Sequence, residues 1–215
     1  MTHGVTIATT DTLTQWGLIL CADLVIGTPP LKSNLVDIPG RDGTVNMSYA
    51  VNGPVYGDRQ IAFTLFCACD DNNLNQKRAA LAALCHGQVC KLILPMDLTH
   101  YYRGLFNVGP ISGYNSGKIP ITVIAEPYAY KNSATTVNKT LTGGSDSVVL
   151  NNEQMPASAT IVTSAAIALA YDGTTYNITA GTKPLPFKIP SGGCTVTITG
   201  TASETVSITY QEGRI

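Results

Sequence analysis

The sequence predicts a mainly β protein with two domains. Three observations support this prediction: one long segment is apolar on both faces at the strand period, only one segment has a helical period, and the composition changes near residue 131. The chain has 215 residues, of which 44% are hydrophobic, and this length suits one large or two modest domains. We predict an N-terminal β-rich domain with one helix and an extended hairpin, followed by a small antiparallel β-sandwich.

The first extended feature is a hairpin at about residues 33–56. Its two strands, 34–38 and 44–49, flank a turn whose Asp-Gly pair tolerates positive φ. Side chains alternate along a strand, so one apolar face of the second strand is formed by Val45, Met47 and Tyr49. A hairpin with one apolar face must cover that face against its own domain or against another chain. We expect this hairpin to make contacts between subunits.

The next element is a strand at residues 60–69 that is apolar on both faces. Such a strand is typically covered on both sides, unlike the half-polar hairpin before it. One of its faces is formed by Ile61, Phe63, Leu65 and Cys67. We therefore expect this strand to be covered on both of its faces.

The only segment with a helical period is residues 72–86. Asp70 or Asp71 can accept hydrogen bonds from the free N–H groups at the start of this helix, and Gly87 can end it in a left-handed conformation. The apolar stripe consists of Leu74, Leu81 and Leu84. Three further strands are predicted at 88–94, 101–108 and 118–125.

The six cysteines could indicate either a metal site or core packing. Cys67, Cys69, Cys85 and Cys90, together with His86, supply metal-ligand atoms, but their gaps do not match ligand pairs spaced two to four residues apart. Free cysteine is also a common small core residue. We favour core packing and predict no metal and no cofactor. The N-terminus lacks the features of a secretory signal, so we expect synthesis in a cytosol and reduced thiols.

After residue 131 the chain becomes rich in Thr, Ser, Ala and Gly. We place a link at 132–136 and divide the chain into domains at 1–131 and 132–215. The second domain contains seven short strand candidates separated by glycine-rich turns, which is typical of an antiparallel sandwich. These candidates are residues 147–150, 157–163, 167–170, 174–179, 181–189, 194–199 and 204–210.

Composition and motifs exclude several classes of protein. The chain has 13 Lys and Arg against 14 Asp and Glu, so it lacks the basic excess that phosphate binding requires. Only 13% of its residues are charged, which favours a surface that partners cover. No nucleophile elbow, zinc-protease motif or phosphate loop occurs, and no apolar run is long enough to span a bilayer. We predict no catalytic residues and no enzymatic activity.

A set of short motifs occurs in a fixed order within residues 16–131. These motifs are Ile38-Pro39-Gly40-Arg41-Asp42-Gly43, Tyr56 with Arg59, Leu84-Cys85-His86-Gly87, the strand at residues 91–94, Tyr101-Tyr102-Arg103-Gly104 and Glu126-Pro127-Tyr128-Ala129-Tyr130-Lys131. In this order they resemble the N-terminal domain of the distal tail protein of long, non-contractile-tailed bacteriophages. The remainder is similar in size and style to the galectin-like second domain of that family.

The resemblance implies a split-barrel-like first domain, a galectin-like second domain and a structural role at the virion tail tip. The implied assembly is a homohexameric ring, made in the host bacterial cytoplasm, that joins the tail-tube protein to a tail hub or tail-associated lysin-type protein. The tape-measure protein and receptor-binding proteins are further implied partners. DNA would pass through the lumen without specific binding, and no membrane is involved.

The candidate interface residues are Arg41, Asp42, Val45, Met47, Tyr49, Tyr56, Arg59 and Tyr102. Tyr and Arg are enriched at the centres of interfaces, although packing inside one domain is an equally good interpretation of each residue. Two other functions remain open. One is a tail-tube subunit, and the other is a carbohydrate-binding module whose sugar contacts would be Tyr171, Asp172, Tyr176 and Asn177.

Overall fold

A computed structural model describes residues 3–33, 35–47, 54–113 and 117–215. The chain divides into two compact units, unit 1 being Met1–Ala129 and unit 2 Tyr130–Ile215. Within the described ranges strands dominate and helices are few, which confirms the mainly β prediction. Neither of the two helices is long and apolar enough to cross a membrane.

Unit 1 contains short N-terminal strands, a hairpin, one long helix and three long strands. In chain order the elements are β1 (Thr6–Ile7), β2 (Thr10–Asp11), α1 (Thr12–Trp16), β3 (Ile19–Leu20), β4 (Val25–Ile26), β5 (Leu35–Asp37), β6 (Thr44–Asn46), β7 (Arg59–Cys67), α2 (Asp71–Cys85), β8 (Val89–Leu94), β9 (Asp97–Val108) and β10 (Gly117–Ala125). The strand β11 (Ala129–Lys131) spans the division between the units.

The main sheet of unit 1 has the order β2-β1-β8-β9-β10-β7-β3, and β4 also pairs with β7. The most extensive pairing in this sheet is the antiparallel pair β7–β10, which runs from Arg59 opposite Ala125 to Cys67 opposite Gly117. The face of β7 formed by Ile61, Phe63, Leu65 and Cys67 is buried, whereas Ala62 and Phe66 on the other face are only half-buried, so the expected cover on both faces is partial. The buried face packs in one core with β8, β9, β10 and α2.

The helix α2 begins where the sequence predicts. The carboxylate of Asp70 accepts a hydrogen bond from the backbone N–H of Asn73 at 2.8 Å, and Gly87 has a φ of +71° just beyond the helix end. Leu74 and Leu81 are fully buried against the sheet. The expectation of only one helix is wrong, because α1 adds a second one. It has five residues, too few to produce a recognisable helical period.

The expectation of reduced thiols is wrong for one pair, because Cys67 and Cys69 form a disulfide. Cys69 lies in a bend just after β7, and its Cα atom is 5.5 Å from that of Cys67, within the usual range for a disulfide. The Nζ atom of Lys77 lies 3.2 Å from the Cys67 sulfur. Cys85 is buried in the core as predicted. Among the described residues no group of three or more His, Cys, Asp or Glu side chains could hold a metal ion.

Unit 2 contains two four-stranded antiparallel sheets. Their strands are β12 (Thr135–Thr140), β13 (Gly144–Leu150), β14 (Ala159–Thr163), β15 (Ile167–Tyr171), β16 (Thr174–Ile178), β17 (Gly181–Pro184), β18 (Cys194–Gly200) and β19 (Thr205–Tyr210). The short strand β20 (Gly213–Arg214) lies outside both sheets and pairs with β11. The sheet orders are β12-β19-β14-β17 and β13-β18-β15-β16, with one shared core of alternating apolar residues. The predicted strand 181–189 is too long, since β17 stops at Pro184, which has no N–H for the ladder.

The first and last strands of this sandwich meet at a buried carboxylate. The side chain of Glu212, 6% exposed, accepts hydrogen bonds from the Lys131 ammonium at 2.7 Å and from the Thr135 hydroxyl. The backbone N–H of Lys131 also donates to the Glu212 carbonyl at 3.0 Å. The predicted link at residues 132–136 is partly wrong, because its last two residues, Thr135 and Thr136, already belong to β12.

Candidate assembly surface: an exposed arm and its anchor

The predicted hairpin forms an arm, defined here as residues 31–56, of which 31–33, 35–47 and 54–56 are described. At its base Leu31 pairs with Tyr56, and the Lys32 N–H donates to the Val55 carbonyl at 2.8 Å. Further out, β5 and β6 are antiparallel, with Val36 directly opposite Val45. The described residues of the arm are thus paired at its base and again at β5–β6.

The arm exposes apolar side chains that a free hairpin would not tolerate well. Leu35 is 56% exposed, and Val36, Ile38 and Met47 are exposed by at least 41% each. A two-stranded hairpin alone is marginally stable in water. The apolar side chains of this arm therefore lack the cover that the rest of unit 1 gives its core residues.

The predicted interface residues of this hairpin lie where the sequence places them, with one exception. Arg41 and Asp42 are exposed at the tip, between β5 and β6. Val45 and Met47 follow in and just after β6. Tyr49 lies outside the described residues. Whether this surface contacts another subunit stays a prediction.

A second group of predicted interface residues comes together at the foot of the arm, in a cluster we call the anchor. Its centre is Arg59, the first residue of β7, which is only 4% exposed. The guanidinium carbon lies 5.3 Å from the centre of the Tyr102 ring, and Nη2 donates a hydrogen bond to the Pro127 carbonyl. Tyr56, at the base of the arm, meets Tyr128 edge to face with ring centres 6.1 Å apart.

The electrostatics of the anchor fit a structural cation. Burial lowers the pKa of Arg59, and the neighbouring Tyr102 opposes that change. Arginine keeps its charge in proteins, so the aromatic face and the Pro127 carbonyl must replace the water that the guanidinium loses. Its Nε atom is buried and has no hydrogen-bond partner among the described residues. Burial also raises the pKa of Tyr128, and Tyr56 adds to that rise.

The anchor therefore uses Tyr56, Arg59 and Tyr102 inside unit 1. The first of these belongs to the arm, so the cluster ties the base of the arm to β7, β9 and the segment after β10. Sequence reasoning missed Tyr128 as a partner of this cluster. Its signal was its place directly after Pro127, within a motif that had already been singled out.

The four predicted sugar-contact residues lie along the hairpin of β15 and β16, Tyr171 and Asp172 at its turn and Tyr176 and Asn177 within β16. Tyr171 stacks on Phe187 with ring centres 4.1 Å apart, so one face of its ring is occupied, and Asp172 forms the turn with a φ of +47°. Tyr176 and Asn177 line an open groove of about 560 Å³ together with Lys183 and two prolines. Phe187, which joins the two tyrosine rings, was not predicted.

No model of a known protein family matches this chain, and no curated protein matches it in sequence. A solved structure matches in fold. The crystal structure of the Dit protein of phage SPP1 superposes with a TM-score of 0.68 at 14% sequence identity, covering 99% of this chain and 99% of that chain. The fold is that of SPP1 Dit. This match confirms, for the fold, the predicted resemblance to the distal tail proteins of phages. SPP1 Dit is described as a paradigm of the hub adsorption apparatus in phages that infect Gram-positive bacteria.

Proposed function

We propose that this chain is a structural protein of a phage tail tip, where it forms a homohexameric ring between the tail-tube protein and the tail hub or lysin-type protein. The observation that carries the proposal is the fold shared with SPP1 Dit over nearly the whole of both chains. In this proposal unit 1 is split-barrel-like and builds the ring, while unit 2 is galectin-like and serves attachment. The protein assembles in the host bacterial cytoplasm and is retained at the virion tail tip.

The arm supports an assembled state. Its apolar side chains are exposed in a single chain, and burial of such surface favours association. A protruding arm that meets a different surface of the next copy makes a head-to-tail contact, and such contacts close into rings when the rotation fits. The low content of charged residues, 13%, agrees with a surface that other chains cover.

The ring is tested by measuring particle mass and shape on the purified full-length chain. We expect particles of six chains, each of 22.7 kDa, seen as discrete rings by negative-stain electron microscopy. Long filaments would instead indicate a tail-tube subunit, because tube subunits stack in many copies. A monomer at every concentration, also after addition of the tail-tube protein, would overturn the proposed ring.

In this proposal DNA passes through the lumen without being held. With 13 basic against 14 acidic residues the chain has no excess of cations to release counterions from DNA. We expect no tight binding of duplex DNA in a gel-shift assay at low salt. Tight binding that falls steeply with salt would contradict the idea of a free passage.

A second candidate function is carbohydrate binding by unit 2, favoured by the groove beside Tyr176 and Asn177. An amide, a tyrosine and the Lys183 ammonium provide both hydrogen-bonding groups and an aromatic edge for a sugar. A glycan array with the full chain tests this candidate, with Asn177→Ala as the variant and Asn138→Ala, exposed on the other sheet, as the control. Binding that only Asn177→Ala removes would support a sugar site there.

A further inference from the structure

An exposed apolar row crosses the outer face of the main sheet in unit 1. Val89 of β8 is directly opposite Leu105 of β9, and Leu105 is directly opposite Ile124 of β10. These three side chains are 57%, 43% and 54% exposed. The residues next to them in sequence, such as Phe106 and Val123, are buried in the core. The row therefore occupies a face that is polar in most half-buried antiparallel sheets.

Cations border this row. Lys91 of β8 is directly opposite Arg103 of β9, two positions along the strands from the pair Val89 and Leu105. Both pairs therefore lie on the same face of the sheet. The Lys91 ammonium lies 4.3 Å from the centre of the Tyr101 ring, and Arg103 is 3.4 Å from a carboxylate oxygen of Glu126. Lys91, Arg103 and Glu126 together carry a net charge of +1, so the border of the row is basic.

The arm carries the complementary features. Val36 and Val45 form a cross-strand pair on one face of the hairpin, and Met47 follows just after the second strand. Between residues 35 and 47 the only charged side chains are Asp37, Arg41 and Asp42, a net charge of -1. The row, Val36 and Met47 are exposed and Val45 is half-buried, so the described part of the arm does not cover the row of its own chain.

We propose that the apolar row of one copy receives the arm of a neighbouring copy. Val36, Val45 and Met47 would cover the row, and the two carboxylates of the arm would approach its basic border. The occupant is thus a second copy of this chain, chosen by apolar and charge complementarity. Because the two surfaces differ, the contact is head-to-tail and can close into a ring. This inference rests on the proposed function and names the contact that builds the ring.

The first test compares two matched substitutions in the full chain. Val89→Asp places a charge in the row, whereas Val149→Asp places it on β13 of unit 2, where the native valine is also 57% exposed. Burial of an unpaired charge is strongly unfavourable. We expect Val89→Asp to raise the concentration needed for half assembly at least tenfold and Val149→Asp to leave it unchanged. Equal assembly of the two variants would overturn the proposal.

The second test maps the contact and does not depend on a destabilising charge. A photo-crosslinking amino acid is placed at position 105, or at position 149 as control, and chains of normal and heavy-isotope composition are mixed before irradiation. We expect crosslinks from position 105 to peptides of residues 31–56 that join a light and a heavy chain, and none from position 149. Rings whose crosslinks map elsewhere would refute the arm-on-row contact and leave the proposed ring intact. Absence of any assembly in the wild-type chain would refute both.

Discussion

Replacing Arg59 by methionine isolates the contribution of the anchor. Methionine keeps the unbranched apolar stem and removes the guanidinium, with its hydrogen bond to the Pro127 carbonyl and its contact with the Tyr102 ring. A hydrogen bond from a charged group contributes about 1.5–3 kcal/mol, and a desolvated cation over an aromatic ring contributes about 2 kcal/mol.

An opposing effect reduces this sum. The native Nε atom is buried without a partner, and its desolvation costs about 1–3 kcal/mol, which the substitution removes. We therefore expect Arg59→Met to lower the free energy of unfolding of unit 1 by roughly 1–3 kcal/mol. The loss should also loosen the base of the arm, because Tyr56 packs in the same cluster.

The assay is urea unfolding, followed by far-ultraviolet circular dichroism at a concentration where the chain is monomeric. Arg103→Met is the matched control, since Arg103 is 60% exposed and its ion pair with Glu126 spans 3.4 Å. An exposed ion pair contributes about 0–1 kcal/mol. Equal losses for the two variants would show that the anchor has no special role, and the reasoning about Arg59 would be wrong.

Three further predictions concern the arm, a buried thiol and an acidic group. Val45→Asp with Met47→Asp should leave the chain folded and monomeric, as size-exclusion chromatography and thermal unfolding would show; unfolding instead would mean that these residues belong to a core. Burial raises the pKa of Cys85 to about 12, so this thiol should resist alkylation at pH 8 in the native chain and react in urea, and rapid native labelling by mass spectrometry would contradict its burial. The backbone N–H of Thr142 donates to Asp146 and lowers the pKa of its carboxyl below the usual value, although burial opposes this. Because the pKa of Asp146 is lower in the folded state, its ionised carboxylate stabilises unit 2 at pH values above the unfolded-state pKa of about 4, and this stabilisation is lost as the pH falls further. Asp146→Asn should therefore flatten the pH dependence of the melting temperature below pH 4. An unchanged slope would refute this cause.

Strong periodicity predicted the elements that pack in the core of unit 1. The alternation from Ile61 to Cys67 and the stripe through Leu74 and Leu81 both reflect burial, which is the dominant energetic term, and the structure follows them closely. Elements without such a pattern were missed. The first two residues of β12 were interpreted as part of a link and the rest of this strand was not predicted, because only Val137 among its residues packs against the core.

The candidate surfaces were only partly predictable, for a different reason. The arm could be recognised from its turn and its alternating face, which are local features of residues 34–49. The anchor and the apolar row require the order of the strands in the sheet. Arg59 and Pro127 are 68 residues apart in sequence, and no local pattern states that they meet. The partner of Cys67 was missed because a disulfide between positions two apart has no sequence signature of its own.

The carboxylate of Glu212 joins the first and last segments of unit 2, because it accepts hydrogen bonds from Lys131 and Thr135. The chain therefore enters the sandwich beside the segment that leaves it. A module whose entrance and exit coincide can be lifted out of a chain, or replaced by another module, with one local splice. In such an exchange, unit 1 would keep its sequence, and Lys131 with its carboxylate partner would mark the seam.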